Sequence, residues 1–213
     1  MSGYVYVEEF LSLKCAPDVL GVVGQMKSGV CKEISEAMGI MKALRPIVLR
    51  EPGRYVLYDL CAGNGLVGVL AAHLLPVRNV VCVDKLERMR RWDKVQRFTY
   101  CISDIYTESS MARYHMMRNG GPFILAGCHP CKDLSVQILR LYGVLADAKH
   151  VVVMPCCKGG LPKDSPPVER MVQEKLSRYE RWVVGLARMV GGDVYRDPKV
   201  QSSCNCIVTA SKE

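Results

Sequence analysis

Two groups of side chains in this sequence have the types and spacing that chemistry requires, and each group follows strand-like apolar runs. The first group is three carboxylates, Asp59, Asp84 and Asp104, each at the end of such a run. The second is a set of histidine and cysteine side chains at residues 128–131 and 156–157. Carboxylates accept hydrogen bonds from ammonium and hydroxyl groups, whereas histidine and cysteine can move protons, attack carbon or bind metal. The first group therefore indicates binding, and the second indicates reaction.

A glycine turn follows Asp59 and is the strongest single motif. The glycines at 63 and 65 allow positive φ and let a ligand approach backbone N–H groups. The helical pattern that begins at Leu66 points the positive end of its dipole at the same place. The spacing through Gly68 also matches the dinucleotide fingerprint, with Asp84 about 20 residues further on.

Two ligand classes use such a turn, and Asp59 separates them. A carboxylate four residues before the first glycine opposes a pyrophosphate but attracts the ammonium of the methionine part of S-adenosylmethionine. Asp84 can accept both hydroxyls of a ribose, which either cofactor supplies. We therefore favour S-adenosylmethionine over NAD(P) and its oxidoreductase chemistry, and an unoccupied Rossmann-like turn is the third interpretation.

With Asp59 at the end of the first strand and Gly63-x-Gly65 after it, the sequence resembles the class I S-adenosylmethionine-dependent methyltransferases. The resemblance implies that the end of the third strand holds the adenine amino group. It implies the following cofactor-binding residues: Asp59, Cys61, Ala62, Gly63, Asn64, Gly65, Asp84, Lys85, Ser103, Asp104 and Cys128.

Later motifs narrow the resemblance to one branch of these enzymes. The segment His129-Pro-Cys-Lys-Asp-Leu134 is similar to His-x-Cys-Gly…Asp-Leu, and Pro155-Cys-Cys157 is similar to Pro-Cys-Cys. Lys32-Glu-Ile34 likewise resembles a helix that precedes the core of this branch. The branch includes ribose methyltransferases of the tRNA acceptor stem and a group of methyltransferase-like proteins of poorly defined substrate. The resemblance therefore favours an RNA acceptor, with a protein or a small molecule as the alternatives. Lys132 stands where the branch usually has Gly, and Lys158 where it often has His or Tyr.

The catalytic candidates are His129, Asp133, Cys131 and Cys156, and several mechanisms are open to them. His129 could be a base for a hydroxyl acceptor, with Asp133 orienting it. The histidine and cysteines could instead hold zinc, or Cys131 or Cys156 could attack a pyrimidine ring. We rank the base first, metal second and covalent catalysis third. The remaining interpretation is a pocket wall of packed cysteines.

Five strands alternating with helices, followed by a hairpin, predict a doubly wound α/β sheet of Rossmann-like type. The sheet is expected to be mostly parallel with an antiparallel C-terminal strand. We assign residues 1–52 to an N-terminal helical extension and 53–213 to the methyltransferase core. Within these, one helix is expected to end at Pro46 and another to run over 168–189.

Composition sets the remaining expectations for this 213-residue chain. The formal net charge is +8, and the basic residues of 85–97 are predicted to line the outer face of a helix. This face could contact RNA phosphates or be an ordinary solvated face, and the sequence favours neither. No segment is apolar enough for a membrane span and no signal peptide is evident, so we expect a cytoplasmic protein with reduced cysteines. The sequence predicts no oligomeric state.

Overall fold

A computed structural model describes residues 4–24, 29–88, 90–106, 120–156, 159 and 176–212. The strands are β1 (Val56–Leu60), β2 (Asn79–Asp84), β3 (Phe98–Ile102), β4 (Phe123–Cys128), β5 (Ala148–Met154), β6 (Asp193–Arg196) and β7 (Cys206–Ser211). The helices are α1 (Val5–Leu11), α2 (Ala16–Val23), α3 (Val30–Arg50), α4 (Leu66–Leu74), α5 (Asp133–Val144) and α6 (Arg178–Arg188). In the ranges described, no helix is long and apolar enough to cross a membrane.

The strands form one seven-stranded sheet in the order β3-β2-β1-β4-β5-β7-β6. The first five strands are parallel, and β7 runs antiparallel to both β5 and β6. The order reverses between β1 and β4, which is where doubly wound sheets bind their ligands beyond the carboxyl ends of the strands. The predicted α/β fold and its antiparallel C-terminal hairpin are therefore confirmed.

Alternation along the strands divides the core into two layers, because successive side chains point to opposite faces of a sheet. Leu57 of β1 belongs to the layer covered by α1 to α4, and Tyr58 belongs to the layer covered by α5 and α6. Strand β1 is buried at all five positions, as expected for a central parallel strand with helices on both faces.

Helix α3 is the element of the N-terminal segment that reaches the site. It packs on α1, α4 and the strands β4 and β5, so its first turns lie over the carboxyl edge of the sheet. Helix α1 is tied to the far end of the chain, because the Tyr6 hydroxyl donates a hydrogen bond of 2.6 Å to the buried carboxylate of Asp197. The N-terminal helices thus form part of the same packed body as the sheet.

Two predicted helix boundaries are wrong. Helix α3 continues past Pro46 to Arg50, because Pro46 lies on the exposed side while Leu44 and Val48 remain buried on the inner side. Water can hydrogen-bond the carbonyl that the missing proline N–H leaves free. The last helix begins at Arg178, where Ser177 and Glu180 form a capping box, and so is not continuous from residue 168. Residues 160–175 lie outside the described residues.

The segment between β2 and β3 is also different from its prediction. In the described residues 85–88 and 90–97, the regular structure is a short 3₁₀ turn, Trp92–Lys94, instead of an amphipathic helix. Trp92 stacks on Tyr100 with ring centroids 4.8 Å apart and an interplanar angle of 5°, and it also stacks on Phe98. This aromatic stack holds the loop against the sheet, and it outweighs the helical periodicity of the sequence.

Candidate active site

The glycine turn between β1 and α4 adopts the conformation that its composition predicts. Gly63 and Gly65 have φ values of 55° and 75°, and Cys61 joins them with a φ of 60°. The Asn64 side chain accepts a hydrogen bond from the Leu66 N–H and so orders the start of α4. A left-handed Cys61 is uncommon for a residue with a side chain, and such backbone strain concentrates at functional sites.

An aromatic cover fixes the outer side of this turn. A Cβ atom on Gly65 would lie 2.8 Å from the Trp92 ring, so the close approach requires glycine as much as the positive φ does. The Tyr100 hydroxyl donates a hydrogen bond of 2.9 Å to the Gly63 carbonyl. The loop after β2, through Trp92, and strand β3, through Tyr100, thus contribute rings that hold the turn in place.

Asp59 is buried at the end of β1, where one of its carboxylate oxygens accepts hydrogen bonds and the other has no hydrogen-bond partner among the described residues. Its Oδ2 accepts from the Gly68 N–H at 3.1 Å and from the Cys82 thiol at 3.6 Å. Its Oδ1 has no hydrogen-bond partner among the described residues, although the residue lines the main cavity. Burial raises the pKa of Asp59 to about 7. A cationic ligand would stabilise the ionised form and donate a hydrogen bond to Oδ1.

A small pocket of about 220 Å³ brings together the carboxyl ends of β2 and β3. Asp84, Lys85, Ser103 and Asp104 all line it, beside the buried Ile105. Asp84 accepts from the N–H groups of Gly63 and Leu86, each at 2.9 Å. A carboxylate can accept about four hydrogen bonds, so Asp84 can still receive two ribose hydroxyls.

A larger cavity of about 710 Å³ opens between the glycine turn and helix α3. Asp59, Asn64, Cys128 and His129 line it from the sheet side. Lys32, Glu33 and Glu36 line it from α3, and Arg88 and Arg90 line it from the loop after β2. The Glu33 carboxylate accepts a hydrogen bond of 2.8 Å from the Asn64 side chain, which ties α3 to the glycine turn.

His129 follows β4 with an unusual backbone conformation. Its φ of 58° is left-handed, and its N–H donates a hydrogen bond of 2.8 Å to the Met154 carbonyl. Lys132 is also left-handed, with a φ of 49°, which explains why glycine suits this position in the sequences that the motif resembles. The imidazole Nε2 of His129 lies 2.9 Å from Oε1 of Glu36. The two atoms are misaligned for a hydrogen bond, and neither has another hydrogen-bond partner among the described residues.

The cysteines gather beside His129. The sulfurs of Cys131 and Cys156 are 3.0 Å apart, and the Cys156 thiol lies 3.5 Å from the His129 carbonyl. Burial raises the pKa of Cys61 to about 12 and the pKa of Cys128 well above its ordinary value, so both remain neutral thiols in the cavity wall. Within the described ranges, no three His, Cys, Asp or Glu side chains are arranged to hold a metal ion, and Cys157 lies outside those ranges.

The comparison with protein families decides between the two cofactor classes. A family model described as a methyltransferase domain matches residues 30–164, which is more than half of the chain. This chain belongs to the methyltransferase-domain family. No curated protein matches the sequence of the methyltransferase.

Solved structures share the architecture at low sequence identity. The methyltransferase domain of a bacterial Hen1 protein, CtHen1-CN, is 12% identical with a TM-score of 0.50, and the alignment covers 85% of this chain and 100% of that chain. This likeness shows the fold of the methyltransferase. Magnesium protoporphyrin IX methyltransferase from Synechocystis PCC 6803, solved with bound S-adenosylmethionine, is 11% identical with a TM-score of 0.49 over 100% and 98% of the two chains.

The cofactor of the methyltransferase is S-adenosylmethionine, and the residues present fit it. The unpartnered Oδ1 of Asp59 matches the need of an ammonium for an acceptor, and Asp84 in the small pocket accepts a hydrogen bond from the Gly63 N–H of the same turn. Cys61 and Arg88 line both spaces, so the small pocket and the large cavity adjoin.

The structure brings the predicted cofactor-binding residues together at one edge of the sheet, and three further residues contact the same region. The cofactor candidates all lie at the turn, in the small pocket or in the large cavity. Glu33, Glu36 and Trp92 were not assigned a role at the site. The sequence could have identified Glu33 as a site residue, because it lies in the Lys32-Glu-Ile34 motif. The carboxylate predicted to orient His129 is Asp133, but Asp133 is exposed at the first position of α5, and the carboxylate beside His129 is Glu36.

Proposed function

We propose that this methyltransferase transfers the methyl group of S-adenosylmethionine to RNA, with His129 acting on the acceptor. The observation that carries the proposal is a single cavity in which Asp59 and His129 share walls with the cations Lys32, Arg88 and Arg90. A donor-binding acid, a proton acceptor and phosphate-attracting groups are the parts that such a reaction needs.

The donor would lie across the two adjoining spaces. Asp59 receives the ammonium, Asp84 receives the ribose hydroxyls, and Ser103 with Asp104 faces the adenine in the small pocket. Asp104 already accepts from the Tyr106 N–H at 2.9 Å, so its carboxylate is held in position before a ligand arrives. Asn64 and the turn glycines supply the close backbone approach.

The acceptor would meet the methyl group on the His129 side of the large cavity. Methyl transfer requires the acceptor in line with the sulfonium, and a hydroxyl acceptor also requires a base. His129 is that base in our proposal. Cys131 and Cys156 form the wall behind it, with their sulfurs 3.0 Å apart. RNA itself is supported by the motif resemblance and by the net charge of +8.

The loop after β2 supplies the cations nearest the cavity, and only some of them suit a phosphate contact. Lys85, Arg88 and Lys94 are exposed. Arg97 instead donates to the carbonyls of Val77 and Ala72, so its guanidinium holds the start of β2. We therefore assign the phosphate contacts to Arg88 and Lys94 rather than to Arg97.

A label-transfer screen tests the proposed reaction. Methyl-labelled S-adenosylmethionine is incubated with the protein and with total RNA, protein and metabolite fractions. We expect label in the RNA fraction, and nuclease digestion then identifies whether ribose or base carries it. Label in the protein or metabolite fraction alone would overturn RNA as the acceptor.

A salt titration tests the surface that binds the RNA. Counterion release makes the affinity for single-stranded RNA fall with salt, by a slope of about 0.7 per phosphate contact. Arg88→Gln with Lys94→Gln should flatten that slope by about 1.4. The matched control is Arg45→Gln with Arg50→Gln, two exposed arginines in the C-terminal half of α3, beyond the residues that line the cavity. Equal slopes in the two double variants would place the RNA elsewhere.

A further inference from the structure

Glu36 is a buried carboxylate whose position is not explained by packing. It lies in α3 among apolar neighbours with 6% of its surface exposed, and it lines the large cavity. Its nearest cation is Lys32 at 3.7 Å, one turn earlier on the same helix and 54% exposed. A buried charge is costly unless a partner compensates for it, so we expect a partner for the Glu36 carboxylate within the cavity.

The other group at this point is the His129 imidazole. Its Nε2 is 2.9 Å from Glu36 Oε1, and both atoms lack a hydrogen-bond partner among the described residues. The histidine backbone is held from the other side, since its N–H donates to the Met154 carbonyl and its carbonyl receives the Cys156 thiol. Pairs of this kind in free enzymes often align only when the substrate is bound.

We propose that Glu36 is the positioning residue of His129, an inference that rests on the proposed function. Glu36 holds the ring through Nε2 and leaves Nδ1 for the acceptor. The acceptor O–H proton then moves to Nδ1 while the oxygen forms a bond to the methyl carbon. The carbon–sulfur bond breaks with its electron pair going to sulfur, which becomes a neutral thioether. The imidazolium, stabilised by the Glu36 carboxylate, later returns its proton to water.

Other charged groups also face this cavity and bear on the pH dependence of His129. Glu33 and Lys32 face it from α3, Asp59 from β1, and Arg88 and Arg90 from the loop after β2. Cys156 approaches the histidine from the end of β5. Glu36 is distinguished from all of these by its 2.9 Å approach to the ring nitrogen.

The test compares Glu36→Gln and Glu36→Asp with Glu33→Gln. The two glutamates lie one turn apart in α3, but Glu33 contacts the turn residue Asn64 and Glu36 contacts His129. We expect Glu36→Gln to lower kcat by about 10²-fold with little change in affinity for S-adenosylhomocysteine, and Glu36→Asp to recover part of kcat. The acid limb of the Glu36→Gln pH–rate profile should move to lower pH. Glu33→Gln should weaken binding of S-adenosylhomocysteine instead.

A second measurement does not depend on any acceptor. Diethyl pyrocarbonate modifies neutral imidazole, and mass spectrometry of digests reports each histidine separately. The modification rate of His129 at about pH 6 is divided by its rate at about pH 8, so that differences in reagent access cancel and the charge of the imidazole remains. This ratio should rise by roughly twofold or more in Glu36→Gln. His73 and His150 are internal controls for the reagent.

An unchanged ratio, or an unchanged kcat and pH profile in Glu36→Gln, would overturn the role of Glu36. Failure of the wild-type protein to methylate RNA would overturn the proposed function alone, because the modification ratio still reports on Glu36 in that case. The two failures are therefore distinguishable.

Discussion

The two halves of the carboxyl edge of the sheet differ in how their polar groups are held. At the ends of β2 and β3, Asp84 and Asp104 accept hydrogen bonds from backbone N–H groups a few residues away or in the adjoining turn. At the end of β4, His129 has a left-handed backbone and meets Glu36 without a hydrogen bond. In the first half, Asp84 and Asp104 are held in position before a ligand arrives, and Asp59 Oδ1 is left for the ligand. In the second half, His129 Nε2 and Glu36 Oε1 both lack a hydrogen-bond partner among the described residues.

This difference indicates which half of the carboxyl edge binds the cofactor and which half carries the reaction. Groups that are already oriented cost little to use in binding, so the β1–β3 half suits the cofactor. The His129 and Glu36 side chains are close but not aligned, and such pairs in free enzymes often align only when the substrate is bound, so the β4–β5 half suits the acceptor and the transition state. Changes in the first half should therefore alter affinity or stability, and changes in the second should alter turnover.

The largest expected effect is in the second half. His129→Ala should lower kcat by about 10² to 10⁴-fold, because a base contributes about that much to a proton-coupled step. Binding of S-adenosylmethionine, measured by calorimetry, should remain nearly intact. Cys131→Ser and Cys156→Ser should be milder, and a loss of donor affinity in His129→Ala would break the division between the halves.

The next effect concerns the packing beneath the glycine turn. A Cβ on Gly68 would lie 2.1 Å from the Cys82 sulfur, so Gly68→Ala should lower the free energy of unfolding by about 1–3 kcal/mol. Gly143 is also helical, but nothing lies within 4 Å of its added Cβ, so Gly143→Ala should stabilise by about 0.5–1 kcal/mol. Urea titrations measure both, and equal changes would show that the turn does not need close packing.

Asp84 tests whether the first half binds the cofactor. Asp84→Asn should weaken S-adenosylmethionine binding by about 1–3 kcal/mol, because the ribose hydroxyls lose a charged acceptor. Asp93→Asn is a matched control in the same loop, where Asp93 pairs with Arg91 at the surface. Isothermal calorimetry compares the two, and equal affinities would exclude Asp84 from the site.

The effect that is smallest near neutral pH, although it grows as the pH falls, is a pH dependence set by Asp59. Since its folded pKa is raised to about 7, the carboxylate is partly protonated below that value and must ionise to receive an ammonium. Affinity for S-adenosylmethionine should therefore fall by about tenfold for each pH unit below about 7 and be constant above about 8. Asp59→Asn should bind weakly at every pH, and an unchanged dependence in this variant would assign the titration to another group.

The raised pKa of Asp59 also makes folding stability depend on pH, but stability decreases with rising pH whereas cofactor affinity increases. The folded protein retains the Asp59 proton between the ordinary value of 3.8 and about 7, whereas the unfolded chain releases it. This contribution to stability is present at low pH and is lost as the pH rises through about 7. In the absence of cofactor, the unfolding free energy of Asp59→Asn relative to wild type should therefore increase between about pH 4 and 7.

The sequence was sufficient for the fold and the cofactor half because their signals are local. Asp59, the glycines and Asp84 lie at strand ends that apolar runs define, and parallel strands must bring those ends to one edge. The family match and the sheet order confirm the methyltransferase fold, and the roles of the individual cofactor-binding residues stay predictions.

The acceptor half depends on contacts that the sequence does not encode locally. Glu36 has the i,i+4 spacing from Lys32 that a solvated helix face shows, and only tertiary packing buries it beside His129. Residues 85–97 likewise have helical periodicity, but the stacking of Trp92 on Tyr100 stabilises the loop more than a helix would. In both places, long-range packing overrides a local pattern.

The indole of Trp92, which packs against the glycine turn, also allows cofactor binding to be followed by tryptophan fluorescence. Of the two tryptophans, Trp92 lies against Gly65, whereas Trp182 is buried in α6 on the other layer of the core. A cofactor entering the turn changes the surroundings of the first indole and leaves the second in its packed layer. A Trp182→Phe variant would thus carry one tryptophan, packed against Gly65 of the turn, and stopped-flow emission would record cofactor arrival and release without any added label.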